Sequence, residues 1–314
     1  GKGSIEVRPV KGLSSQAVVS PFSNYSKSKK FKPACWYTLA DDPEVIGGYL
    51  DSGSLWSTNS LSEGRNDSYN VTSQVLANYN VSLGKQERHH LSLMAGFENY
   101  VMKSESLSAG RDQYEFTQYP YLNVGPEDFQ TNSGSASEYS SNSVFGRVMY
   151  DWDGRYLIQA NVRHDGSSRF ARKYRWGTFP SVSAGWVISR EPWMQATKPY
   201  LTFLKLRASY GMLGNERIGS NYFPYLALMT FSDALFYDID GSVVSTKTAV
   251  QTGLAVEDIT WETTSSLDLG LDASLFNDRL SLGFDWYWKT TRDMLLAVNI
   301  PWTMGFGNPD TNAG

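Results

Sequence analysis

The sequence predicts an all-β protein whose antiparallel strands run up and down and belong to a transmembrane barrel. Three observations carry that expectation. Polar and apolar residues alternate with period two over long stretches, which is the side-chain period of a strand. Connections alternate between short and long, as in outer-membrane barrels with tight periplasmic turns and large extracellular loops. Tryptophans close the apolar faces, as aromatics do at a membrane–water boundary.

The hairpin over 266–289 shows the pattern most fully. In its first arm Leu267, Leu269, Leu271, Ala273 and Leu275 share one parity; Ser266, Asp268, Gly270, Asp272 and Ser274 share the other. Asn277 and Asp278 supply the tight turn, because both residue types tolerate left-handed backbone. In the return arm Leu280, Leu282, Phe284, Trp286 and Trp288 alternate with Ser281, Gly283, Asp285, Tyr287 and Lys289. An apolar face ending in two tryptophans reads as a lipid-facing strand reaching the interface.

From the N-terminus, residues 1–68 read as mostly loop, with Ile5-Glu6-Val7 as the tail of a strand and Gly47, Gly48, Gly53 and Gly64 as breakers. Residues 69–314 read as barrel strands and loops. Tyr69, Val71, Val75, Ala77, Tyr79, Val81 and Leu83 share one parity, and a short turn at 84–87 follows. Leu91, Leu93, Ala95, Phe97 and Val101 form the next arm, and 103–138 reads as a long polar and aromatic loop. Val144, Val148, Tyr150 and Trp152 lead into Asp153-Gly154, a strong hairpin signal. Tyr156, Ile158, Ala160 and Val162 return, and a medium loop covers 165–174. Val182, Ala184, Trp186 and Ile188 form a strand broken by Glu191-Pro192-Trp193; Leu204, Leu206, Ala208 and Tyr210 form another. A second long loop covers about 211–260, and a third begins near Gly305.

Composition narrows the class. The chain has 314 residues and is 41% hydrophobic, with a mean hydropathy of −0.38. No run approaches the roughly 20 apolar residues of a spanning helix, which excludes a helical membrane protein and leaves a barrel open. Ten Trp and nineteen Tyr suit aromatic belts. A net charge of −4 argues against a nucleic-acid surface. Cys35, the one cysteine, forms no internal disulfide. The Gly-Lys-Gly-Ser start and Asn-Ala-Gly end read as a piece of a longer chain. A soluble sandwich also gives one apolar face per strand, so alternation alone does not choose. Loop asymmetry and terminal aromatics favour the membrane.

Several segments resemble the SusC/RagA family of TonB-dependent outer-membrane transporters. They are Arg163-His164-Asp165-Gly166-Ser167-Ser168-Arg169-Phe170, Arg175-Trp176-Gly177-Thr178-Phe179-Pro180-Ser181, and Gly185-Trp186 with Ser189-Arg190-Glu191. Leu204-Lys205-Leu206-Arg207-Ala208-Ser209-Tyr210-Gly211 with Gly214-Asn215, Ile259-Thr260-Trp261-Glu262-Thr263-Thr264 and the run from Tyr287 through Trp288 to Leu295 complete the set. His164 stands where the family carries tyrosine or phenylalanine. The resemblance implies part of a barrel of roughly 22 strands, the class with a plugged lumen. It implies active import of oligosaccharides or peptides and a SusD-like surface lipoprotein partner. It also implies coupling to TonB–ExbB–ExbD through an N-terminal plug outside this chain. A passive porin and a soluble glycan-binding sandwich are the alternatives.

Candidate residues follow from parity and loop position. Arg163, Lys205, Arg207, Asp268, Asp272 and Asp285 lie on polar parity and are expected to face the lumen. Lys205 and Arg207 are placed to pair with Asp268, Asp272 or Asp285; a solvated wall in charge balance accounts for them equally. Trp152, Trp186, Trp286 and Trp288 are expected at the membrane interface. Tyr114, Phe116, Tyr119 and Tyr121 are the loop aromatics best suited to stack on sugar; packing of the loop or of the lipoprotein is the plainer account. Asp165 and Arg169 either touch plug or substrate or simply build a turn. His89 and His90 point to opposite faces, so no metal site is expected. Ser26 and Lys29 have serine-acylase spacing without its companion motifs. No catalytic residue and no cofactor is expected.

Overall fold

A computed structural model describes residues 1–49, 57–84, 88–217 and 222–314. Gly53 and most of the expected 84–87 turn lie outside the described residues. In chain order the strands are β1 (Gly3–Val10), β2 (Leu13–Lys32), β3 (Trp36–Thr38), β4 (Ile46–Tyr49), β5 (Ser60–Leu83), β6 (His89–Asp112), β7 (Gln130–Trp152) and β8 (Tyr156–Ser167). Then come β9 (Trp176–Val187), β10 (Leu201–Asn215), β11 (Met229–Tyr237), β12 (Val243–Gln251), β13 (Glu262–Leu275), β14 (Leu280–Arg292), β15 (Leu295–Ala297) and β16 (Asp310–Asn312). One ten-stranded sheet has the order β1-β2-β5-β6-β7-β8-β9-β10-β13-β14. Chain neighbours are sheet neighbours, with only small hairpins intervening. This is the up-and-down arrangement.

The chain divides into two compact units. The larger comprises 2–20, 72–100 and 139–314. Its burial pattern is inverted relative to a soluble sheet. On β8, Ile158, Ala160 and Val162 are exposed, whereas Gln159, Asn161 and Arg163 are half-buried. On β9, Val182, Ala184 and Trp186 are exposed against half-buried Ser181, Ser183 and Gly185. On β10, Leu206, Ala208 and Tyr210 are exposed against Lys205, Arg207 and Ser209. Leu269 on β13 keeps 44% of its surface. A sandwich would bury these side chains against a second layer. Exposed apolar residues opposite sheltered polar ones are what a lipid solvent selects.

Register ties the strands together. Leu206 pairs with Trp186 on one side and Leu271 on the other. Leu271 pairs with Phe284, and Leu267 with Trp288. From Leu280 to Trp288 the strand rises about 26 Å at roughly 3.3 Å per residue, which at a tilt of about 40° covers roughly 20 Å of the ~25 Å apolar band of outer-membrane barrels.

Short connections use left-handed backbone where the sequence permits it. Asp153 and Gly154 have φ of 54° and 63°, the pair of positive values that a type I′ turn requires. Asp151 Oδ1 accepts from the Gly154 amide at 2.6 Å. In the β13–β14 turn Phe276, Asn277 and Asp278 all have positive φ. The Phe276 amide is held there by the Tyr200 carbonyl at 2.9 Å.

Aromatics gather beside the β7–β8 turn. Trp152 stacks on Tyr156 at 5.3 Å, and Tyr156 on Trp186 at 6.2 Å. His89 lies parallel to Trp152 at 6.0 Å. The Trp186 indole N–H donates to Glu191 Oε1 at 3.1 Å. The Tyr156 hydroxyl and Trp186 indole, with Arg155 beside them, hold the Glu191 carboxyl below its ordinary 4.5.

A small core lies among the loop segments of this unit. Phe170 and Ile259 are fully buried, packed by Val256, Trp261 and Leu295. The Trp261 indole donates to the Arg175 carbonyl at 2.9 Å, and Thr260 Oγ1 to the Tyr174 carbonyl at 3.2 Å. Asn312 Oδ1 accepts from the Thr260 amide at 2.7 Å. Several sequence segments that resemble the family thus meet in one small core.

The smaller unit comprises Gly1, 21–71 and 101–138. Two expectations are corrected here. Residues 1–68 are not mostly loop: β1 and β2 occupy Gly3–Val10 and Leu13–Lys32, and β5 starts at Ser60. The expected loop at 103–138 shrinks to 113–129, because β6 runs to Asp112 and β7 starts at Gln130. Ile5 and Val7 do alternate with Glu6 and Arg8 within β1, but the strand segments at 60–68, 103–112 and 130–138 are mostly polar on both parities, so no apolar alternation announces them. Hydroxyl pairs align them instead: Ser106 with Ser135 at 2.7 Å and Ser108 with Ser133 at 2.8 Å. A third correction belongs to the larger unit. The long loop at 211–260 contains the β11–β12 hairpin, in register from Met229–Gln251 to Tyr237–Val243.

In the full-length receptor, Leu269→Arg should destabilise the folded barrel by about 2–4 kcal/mol if Leu269 lies near mid-bilayer. Gln159→Lys, on the polar face of β8, should shift urea unfolding in lipid little. Equal effects of the two would contradict the assignment of faces. The Glu191 carboxyl is depressed on folding, so its stabilisation is complete above the unfolded value near 4.5. It disappears as pH falls through the lower folded value. The stability difference between wild type and Glu191→Gln should therefore be constant near neutrality and vanish in acid; a difference that grows in acid would refute it.

Candidate functional site

The polar face of the larger unit assembles around Arg207. Its Nε and Nη2 donate to Asp272 Oδ2 and Oδ1 at 2.8 and 3.0 Å. This fork-on-carboxylate geometry is the strong form of the contact. Nη2 also donates to Asp285 Oδ1 at 2.9 Å. Gly270, between Arg207 and Asp285 in the register, makes the reach across β13 feasible. A Cβ there would meet Arg207 Cζ at 2.8 Å and Asp285 Oδ1 at 2.6 Å.

The expected polar set does not gather in one cluster. Arg207, Asp272 and Asp285 form one ion-paired group. Asp268 stands apart from it, accepting from Ser266 Oγ at 3.2 Å and Ser209 Oγ at 3.5 Å. Lys205 lines the same depression of about 650 Å³ as Asn80, Gln159, Ser183, Arg207 and Asp268. Arg163 forms a separate group: it donates to Asp165 Oδ1 at 2.7 Å, Glu98 Oε1 at 3.1 Å and Ser143 Oγ at 2.8 Å. Glu98 also accepts from Gln74. Sequence reasoning missed Glu98, although its parity opposite Phe97 already placed it on this face.

Asp165-Gly166-Ser167-Ser168-Arg169 behaves as a built turn. Ser167 is fully buried, and its Oγ accepts from the Arg169 amide at 3.2 Å. Ser168 exchanges bonds with the Ser140 backbone at 2.9 and 3.0 Å. Arg169 lies over the Tyr222 ring at 4.6 Å. His164 retains an aromatic role: its ring stacks on Trp176 at 4.8 Å.

The loop aromatics split. Tyr114 is only 4% exposed, which corrects its assignment to substrate contact. Its amide donates to Asn59 Oδ1 at 2.6 Å, its carbonyl accepts from Asn59 Nδ2 at 2.8 Å, and Phe31 meets its ring edge-on at 6.0 Å. Burial pushes its phenol up. Tyr114 therefore packs the loop. Phe116, Tyr119 and Tyr121 remain exposed, and the Lys29 ammonium sits 4.0 Å from the Tyr121 ring centre. Trp152, Trp186, Trp286 and Trp288 are all exposed on the apolar parity.

Comparison with known proteins places this geometry. The family model described as "TonB dependent receptor-like, beta-barrel" matches residues 22–314. TonB-dependent receptor P39 of Formosa agariphila is 36% identical over 251 residues, covering 79% of this chain and 23% of the relative. TonB-dependent receptor SusC of Bacteroides thetaiotaomicron is 32% identical, covering 74% of this chain and 22% of the relative. A chain of the RagAB peptide importer in its closed-closed state superposes with a TM-score of 0.82 at 26% identity, covering 99% of this chain and 32% of that one. The chain thus spans about a quarter of the curated relatives it matches. It belongs to the SusC/RagA family of TonB-dependent receptors, as part of their outer-membrane β-barrel domain.

Proposed function

We propose that this chain forms part of the wall of an active importer that carries bulky nutrients, oligosaccharides or peptides, across the outer membrane. The observation that carries the proposal is the likeness in fold, over nearly the whole chain, to a peptide importer and, in sequence, to SusC. The inverted burial of β8–β10 supports it. The exposed apolar face meets lipid, and the Arg207–Asp272–Asp285 face lines the lumen. The sheet's outer strands, β1 and β14, would pair with further strands of the parent to close a barrel of roughly 22 strands. Closure removes the unpaired edges that an open sheet would present to lipid.

The chain's part in transport is to bind and gate, with no covalent step. Force would come from TonB–ExbB–ExbD through a plug in the parent protein. A SusD-like lipoprotein would close the mouth. The β11–β12 hairpin offers it a contact: Phe231, Leu235 and Tyr237 are exposed on one face, around the Asp233–Lys247 pair at 3.1 Å. Phe116, Tyr119 and Tyr121 offer ring faces to cargo.

In the full-length receptor, serine at positions 116, 119 and 121 together should cut uptake of the native cargo at least tenfold while barrel yield stays unchanged. Unchanged uptake would remove these rings from cargo capture. Leu235→Asp with Phe231→Asp should weaken co-purification of the lipoprotein without lowering receptor yield. Full retention of the partner would exclude the hairpin as its contact.

A further inference from the structure

The connector at 188–200, between β9 and β10, is larger than a tight turn and is held firmly. Ile188–Arg190 and Pro192–Thr197 form successive 3₁₀ turns, with Ile188, Ser189, Glu191 and Met194 buried. The connector is tied to both neighbouring turns. Arg190 Nη1 donates to the Gly154 carbonyl at 3.2 Å, and the Phe276 amide donates to the Tyr200 carbonyl at 2.9 Å. A Cβ on Gly154, whose φ is 63°, would stand 1.8 Å from Arg190 Nη1 and displace that flexible side chain.

These pieces surround a depression of about 350 Å³, lined by Asp153, Arg155, Arg190, Gln195, Lys198 and Thr202, among others. Cations outnumber carboxylates in that lining. Arg155 pairs with Asp153 at 3.0 Å and with Glu191 at 3.5 Å. Its Nε is buried with no hydrogen-bond partner. Among the described residues, neither Arg190 nor Lys198 has a carboxylate within ion-pairing distance. The pocket therefore holds unspent N–H donors and net positive charge.

Its surroundings indicate what supplies the anion. Trp193 and Tyr200 flank the pocket in sequence and are 63% and 69% exposed. The Trp152–Tyr156–Trp186 stack stands on the same connection, linked to it through Glu191. Exposed Trp and Tyr beside Lys and Arg mark headgroup depth. Basic clusters at that depth select anionic lipid. Free phosphate offers the same charge and leaves the aromatic rings unused.

We propose that the pocket formed by Arg155, Arg190 and Lys198 binds the headgroup phosphate of an anionic phospholipid in the periplasmic leaflet. The proposal rests on the barrel reading above, which places short connections on the periplasmic side.

The test uses the full-length receptor in nanodiscs of phosphatidylcholine doped with phosphatidylglycerol, with bound lipid counted by native mass spectrometry. The variant Arg190→Gln/Lys198→Gln should lose retained phosphatidylglycerol by roughly fivefold for each cation removed, with nutrient uptake preserved. Gly154→Ala, which displaces Arg190, should weaken retention in the same direction. Should the double variant assemble poorly, Lys198→Gln alone, at an exposed residue, carries the test. Equal retention by wild type and variants overturns the proposal. Inorganic phosphate displacing phosphatidylglycerol at equal concentration would make this a simple anion site and overturn the lipid assignment. Wild-type receptor that retains phosphatidylglycerol, with retention lost in the variants, but imports no nutrient would count against the transport reading and leave the pocket standing.

Discussion

Hydrocarbon offers no water to a peptide group. Every N–H and C=O inside it needs a partner from the chain itself, which confines the chain to helices or closed sheets. The rest of this structure follows from that constraint. Once strands satisfy one another's backbones, side chains must serve two solvents at once, and period two divides them cleanly. Ile158, Val182, Leu206 and Leu269 stay exposed on one side; Gln159, Ser183, Arg207 and Asp268 are sheltered on the other. A single-residue slip of register would exchange the two sets completely. Ion pairs and hydroxyl bonds on the polar side help to fix register from the wet face.

The polar contacts are suited to alignment more than to strength. Arg207 and Asp272 keep 39% and 37% of their side-chain surface, so water screens the pair and its contribution is well below that of a buried bridge. What the pair supplies is geometry. One guanidinium spans β10, β13 and β14 over Gly270.

The membrane-level strands were legible because lipid imposes a pattern on them. The alternation of β13 and β14, the Asp153-Gly154 turn and the polar parity of Arg207, Asp272 and Asp285 could all be read from residue order. Outside the lipid the signal ends. In the distal parts of β6 and β7, Ser, Thr, Asn and Glu fill either parity, and nothing distinguishes strand from loop. Tyr114 shows the same limit at a site: an aromatic in a polar loop looks available for ligand until Asn59 and Phe31 are seen to hold it. The burial of Phe170 was equally hidden, since its partners Trp261 and Ile259 lie far along the chain. Glu98 was recoverable from parity opposite Phe97.

The central claim is that the exposed apolar parity touches lipid and the sheltered parity faces water. Nitroxide scanning along β9 in the full-length receptor tests it most directly. Single cysteines at positions 181 to 186 in a cysteine-free background would be labelled in liposomes. Collision with dissolved oxygen and with a water-soluble nickel chelate would then be compared at each position. The account requires oxygen to dominate at Val182, Ala184 and Trp186, and the nickel chelate at Ser181, Ser183 and Gly185. Uniform protection from both reagents at Val182 and Ala184 would mean that protein covers this face, and would contradict it.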